Sequence, residues 1–123
     1  MAVSKIKAQV ISLENLVEKM EKLVNEVRIL DARIEGERGI VVDVEMSVGF
    51  SPEKVLQIAR FKIMRAKETL AHFERPYTIR WHKAKREEEA ADIPAMVQEQ
   101  TRIIQRSTRV LNELKDTLQD VFR

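Results

Sequence analysis

Ile6, Val10, Leu13, Val17, Met20, Val24 and Val27 recur at alternating spacings of four and three residues. Asp31 takes the next place in the row, and Ile34 the one after it. This is the period of a helix packed along its length on another helix, and it predicts a helix over 4–35. Leu16, Leu23 and Leu30 repeat beside the row and widen the apolar stripe to three positions in seven. That is broader than the seam of a two-stranded coiled coil, so the stripe calls for more than one neighbour. Leu16, Leu23 and Leu30 are therefore candidate contacts to a partner. Glu14, Glu18, Glu21, Lys22 and Arg28 lie on the opposite face and read as solvated surface. Gly36 or Gly39 can end the helix in a left-handed cap.

Over 40–48 the period changes to two. Ile40, Val42, Val44, Met46 and Val48 point one way; Val41, Asp43, Glu45 and Ser47 point the other. Alternation in a β-branched run predicts a strand with one buried face. A lone strand leaves its backbone groups unpaired, which makes Val42, Val44 and Met46 candidate interface residues.

Phe50-Ser51-Pro52-Glu53 has the form of a helix start: Ser51 as N-cap, Pro52 in the first turn, and Phe50 placed to pack on Val55. Leu56, Ala59, Ile63, Ala66, Leu70 and Phe73 carry that helix over 52–74, and Pro76 disfavours its continuation. Tyr77, Ile79 and Trp81 alternate with Thr78, Arg80 and His82, so 77–91 reads either as a strand or as a short helix running into KAKREEEAA. The strand reading would supply a partner for 40–48 and keeps Trp81 as an interface anchor. Asp92-Ile93-Pro94 punctuates the chain again. A last helix over 94–121 follows, with Val97, Ile104, Leu111, Leu114, Leu118 and Val121 in heptad step. Gln100 and Ser107 are polar at core-type places in it, where they either fix register or mark the edge of the stripe.

The expected fold is mainly α: a single-domain, elongated bundle of two long terminal helices and a shorter central one, with one or two β-strands at one end. A 32-residue helix is about 48 Å long, against a radius of gyration of about 14 Å for a compact chain of this size. Long terminal helices around a β-element look like the layout of prefoldin-type chaperone subunits. In that family hairpins join two helices, and the helix at 52–74 departs from it. The stretch Gly39-Ile40-Val41-Val42-Asp43, with Leu56, Ile58 and Glu68-Thr69 after it, is similar to the gas-vesicle shell protein. That family has a second strand where this chain has Ser51-Pro52-Glu53. An outline of this kind does not determine function.

Charge adds a second pattern. The net of +2 over 123 residues divides unevenly. Residues 1–52 hold seven basic and nine acidic side chains, 53–86 hold ten and three, and 87–123 hold five and eight. The basic middle offers Arg60, Lys62, Arg65, Lys67, Arg80, Lys83, Lys85 and Arg86 as anion or nucleic-acid contacts, with Tyr77 and Trp81 among them. The same cations can instead pair with the acidic flanks.

Catalytic chemistry has no footing in the pattern. With no cysteine and three glycines there is no thiolate site, nucleophile elbow or phosphate loop. Glu68 and His72 lie four apart rather than in a repeated Glu-x-x-His, and Glu87-Glu88-Glu89 diverge around a helix. No cofactor, small-molecule substrate or membrane partner is expected. No apolar run suits a membrane span and MAVSKIKAQV lacks a secretory core, so a cytoplasmic setting, or a particle assembled inside the cell, is expected. The function this composition favours is non-enzymatic: a self-associating structural, scaffold or adaptor protein, either an assembly component or chaperone-like. A nucleic-acid-binding helical subunit using 54–86 is the alternative.

Overall fold

A computed structural model describes residues 3–73 and 80–123, with side chains for all of these but residues 80–83 and 86. The described chain is helical nearly throughout: α1 Val3–Arg38, α2 Val44–Val48, α3 Pro52–Phe73, α4 Arg80–Ala91 and α5 Ile93–Asp120. At 1.5 Å per residue, α1 is about 54 Å long.

The row of four-three spacings becomes one face of α1. Ile6, Val10, Leu13, Val17, Met20, Val24, Val27 and Ile34 are all buried. α3 turns Leu56, Ala59, Ile63, Ala66 and Leu70 onto that face, and α5 brings Ile93, Val97, Ile104, Leu111 and Leu118. Ala59 and Ala66 remove side-chain bulk from α3 and let it approach closely. α3 runs antiparallel to α1: Pro52 and Glu53 lie by Val24–Arg28, while Leu70 and Ala71 lie by Lys7–Glu14. α5 runs parallel to α1, with Lys115 paired to Glu26 and Arg33 stacked 3.9 Å from the centre of the Phe122 ring. α1 is thus the shared wall of an up-down-up bundle. Gln100 and Ser107 are buried inside it, so neither marks the edge of the stripe.

The expected β-element is absent: the described residues contain no strand. α1 runs on to Arg38, where Gly39 at φ +67° donates its N–H to the Glu35 carbonyl at 3.0 Å and caps the helix. Residues 40–43 are an irregular connector, and Val44–Val48 is a helical turn and a half. Asp43 nucleates that turn by accepting the Met46 N–H at 3.0 Å, and Gly49 at φ +82° closes it on the Glu45 carbonyl at 2.8 Å. A strand would bury all five alternating residues. The bundle instead takes in Val42, Val44 and Val48 and leaves Ile40 53% and Met46 81% exposed. Val44 and Val48 are four apart, a spacing that fits a helix as well as a strand. Of the segment read as strand or short helix, Tyr77–Ile79 lie outside the described residues, and Arg80–Ala91 is helix rather than strand.

α3 begins as its sequence requires. The Ser51 hydroxyl accepts the Lys54 N–H at 3.3 Å and Pro52 occupies the first turn. α4 and α5 are separated only by Asp92, with Pro94 in the first turn of α5. Among the described side chains of α4, Ala90 is the one buried in the core. The chain exposes 8425 Å², against about 6,800 Å² for a compact monomer of 14.3 kDa. A slender bundle of long helices has more outside than a sphere does.

Candidate interaction surface

The basic residues of α3 fall on different sides of the helix and meet different fates. Facing α1 are Arg60, which pairs with Glu21, and Lys67, which pairs with Glu14 at 2.7 Å. Arg28 and Glu53 continue the row with the signs reversed. Each step moves seven residues down α1 and seven up α3, so the ladder repeats with the heptad. Glu14 and Glu21, which the sequence reads as solvated surface, are thus half of an inter-helix ladder, while Glu18 of the same face is not part of it. Glu53 has its carboxyl held below the usual range, first by the hydrogen bond from Arg28, which outweighs partial desolvation.

Lys62 and Arg65 lie on the other flank of α3, in a groove that Phe61 also borders and that α4 and α5 close with Glu89, Asp92, Ile93 and Met96. Arg65 also sits 5.8 Å from the centre of the Phe61 ring. Lys85 on α4 is exposed and has a partner of its own. The side chains of Arg80, Trp81, Lys83 and Arg86 lie outside the described residues. Among the cations that are described, two of the four expected on α3 are neutralised by α1.

The leucines proposed for partner contact are occupied within the chain. Leu23 is a core residue, and Leu16 and Leu30 pack on the edge of that core. Val42 and Val44 also rest against it, which leaves Met46 as the exposed member of the connector set. Under the connector is a recess of about 500 Å³, walled by Val24, Val27, Val42 and Leu111 with Asp31 and Glu53 at its margin. One oxygen of Asp31, Oδ1, is sealed from solvent with no hydrogen-bond partner. Among the described residues no three histidine, aspartate or glutamate side chains gather to hold a metal ion, and no helix is long and apolar enough to cross a membrane.

A feature the spacing rules passed over is the outer side of α3. Ile58, Phe61 and Met64 are 51%, 53% and 49% exposed, on the face opposite Leu56, Ala59 and Ile63. A helical wheel of 52–73 separates the two sets, because Phe61 lies about half a turn from Ala59. Reading only the four-three row hides it. Ile11 and Ile29 of α1 are likewise exposed, singly, on the side away from the core. Comparison of the chain with protein-family models, with curated proteins and with solved structures finds no match to any of them.

Proposed function

We propose that this protein is a non-enzymatic, self-associating structural or adaptor protein that works through the outer faces of its helices. The observation that carries the reading is the set of large apolar side chains left outside the core. Ile58, Phe61 and Met64 cluster on one helix face, and Ile40, Val41 and Met46 stand out from the connector. Single exposed hydrophobic residues are ordinary, but a clustered set on a helix with its inner face already occupied supports a contact role.

Nucleic-acid binding is less favoured by the charge pattern. Arg60 and Lys67 spend their charge on Glu21 and Glu14, and Glu53 sits in the same row. Phosphate binding draws on the charge of Lys and Arg, and cations already held by carboxylates have less of it to offer.

Light scattering on the purified chain tests the reading. A mass of two or more times 14.3 kDa is expected, and a strict monomer at all concentrations overturns self-association. In the same preparation, tight binding of a mixed-sequence oligonucleotide that weakens steeply with salt, and is lost in Lys62→Ala/Arg65→Ala, would instead establish the nucleic-acid reading.

A further inference from the structure

α3 is apolar on two opposite sides, and its outer side is symmetric about one residue. Lys54, Phe61 and Glu68 stand one heptad apart along the crest of that side. Ile58 and Met64 flank Phe61 three residues before and after it, one on each side of the crest. Gln57 and Arg65 flank it four residues away in the same manner. The stripe therefore reads nearly the same in both directions, except that its two ends carry opposite charges. Neither Lys54 nor Glu68 has an ion-pair partner within the described chain, in contrast to Arg60 and Lys67 on the α1 side.

We infer that two copies of this chain associate through the outer face of α3, antiparallel, about a two-fold axis at Phe61. The inference rests on the self-association proposed above and assigns its surface. A two-fold contact requires a patch that complements itself, which is the property the stripe has. At the axis the two Phe61 rings meet, and each lies between the Ile58 and Met64 of the other copy. One heptad out on either side, Lys54 of one copy faces Glu68 of the other, so the pair forms twice. Ile58 runs along the aliphatic stem of the other copy's Arg65. A parallel pairing would set Lys54 on Lys54 and Glu68 on Glu68, so charge selects the antiparallel arrangement.

Three large side chains half exposed leave on the order of 300 Å² of apolar surface on each copy, the size of the largest patch on an ordinary monomer and often a functional one. Two such patches bury about 600 Å², and the stems of Lys54, Gln57, Arg65 and Glu68 extend the contact toward the roughly 1,200 Å² of a small specific interface.

Sedimentation equilibrium from about 1 μM to about 1 mM protein tests the assignment. The unmodified chain is expected to form a dimer. Phe61→Glu sets two carboxylates against each other at the axis and is expected to weaken the dimer about 100-fold or more. Lys54→Glu and Glu68→Lys each create two like-charge contacts and are expected to weaken it about five- to thirty-fold. An equimolar mixture of those two variants restores both opposite-charge contacts and regains the unmodified affinity. All three sites are exposed, so far-UV circular dichroism of each variant should match the unmodified chain.

The failures are distinguishable. A monomer at 1 mM overturns self-association and this surface together. A dimer that Phe61→Glu leaves intact overturns only the surface, because association then uses another face. If Phe61→Glu dissociates the dimer but the two charge variants fail to complement one another, the antiparallel register is wrong.

Discussion

Asp31 shows what a single residue can reveal and conceal. It interrupts the row Val10, Val17, Val24 at a core position, and that interruption is plain in the sequence. Its consequence is not: whether a polar core residue finds a partner depends on side chains from other elements. Here Oδ1 is buried without one, at a cost of about 1–3 kcal/mol for an unmade hydrogen bond. Asp31→Val restores the row and is expected to raise stability by about 1 kcal/mol, read as a higher urea midpoint with an unchanged slope. A lower midpoint would mean that the carboxylate contributes to the fold in a way its surroundings do not display. Ala59 and Ala66 are the converse case, since small residues on an apolar row announce close approach and both are buried.

At the level of elements, the helices were legible and their register was not. A heptad row looks the same after a slide of seven residues, so apolar spacing alone leaves α3 free to shift along α1. Charge breaks the degeneracy. Sliding α3 by one heptad sets Arg28 against Arg60 in one direction and Glu21 against Glu53 in the other, and either shift carries a like-charge contact. Each pair is exposed, so its own contribution is about 0.2–1 kcal/mol. Arg28→Glu is expected to lose about 1 kcal/mol and Arg28→Glu/Glu53→Arg to regain it, measured by thermal unfolding. The same pair carries a pH signature. Because the carboxyl of Glu53 titrates lower in the folded state than in the unfolded one, its contribution is fully present above the usual carboxylate range and is lost as pH falls from that range through the lower folded-state value. Arg28→Ala should flatten that part of the acid limb, and an unchanged limb would show that Arg28 is not the cause. The segment over 40–48 failed as a strand for a related reason. Val44 and Val48 satisfy both periods, and Ile40 and Met46, both exposed in the structure, distinguish them.

Over the whole molecule, α1 packs on both α3 and α5 and the buried residues form a single cluster, which makes the bundle one cooperative unit rather than two helix pairs. The order of charge along the chain foreshadows this, since a basic middle lies between two acidic flanks, but it does not say which flank the middle faces. α3 answers by giving its ion pairs to α1 and keeping its outer stripe free. Leu111 tests the unity of the fold. It is fully buried in α5 where that helix, α1 and the connector meet around the recess. Leu111→Ala enlarges an existing space and is expected to cost about 2–5 kcal/mol. Because the core is one cluster, the loss should not stay local. Amide exchange near Val10 and Leu70, at the far end of the bundle, should speed up by at least about 30-fold, the factor that corresponds to about 2 kcal/mol. Exchange that accelerates only around Val24, Val27 and Val44 would mean that the connector end opens by itself. The bundle would then be two units that share a helix, with α3 free to present its outer face whatever the state of the recess.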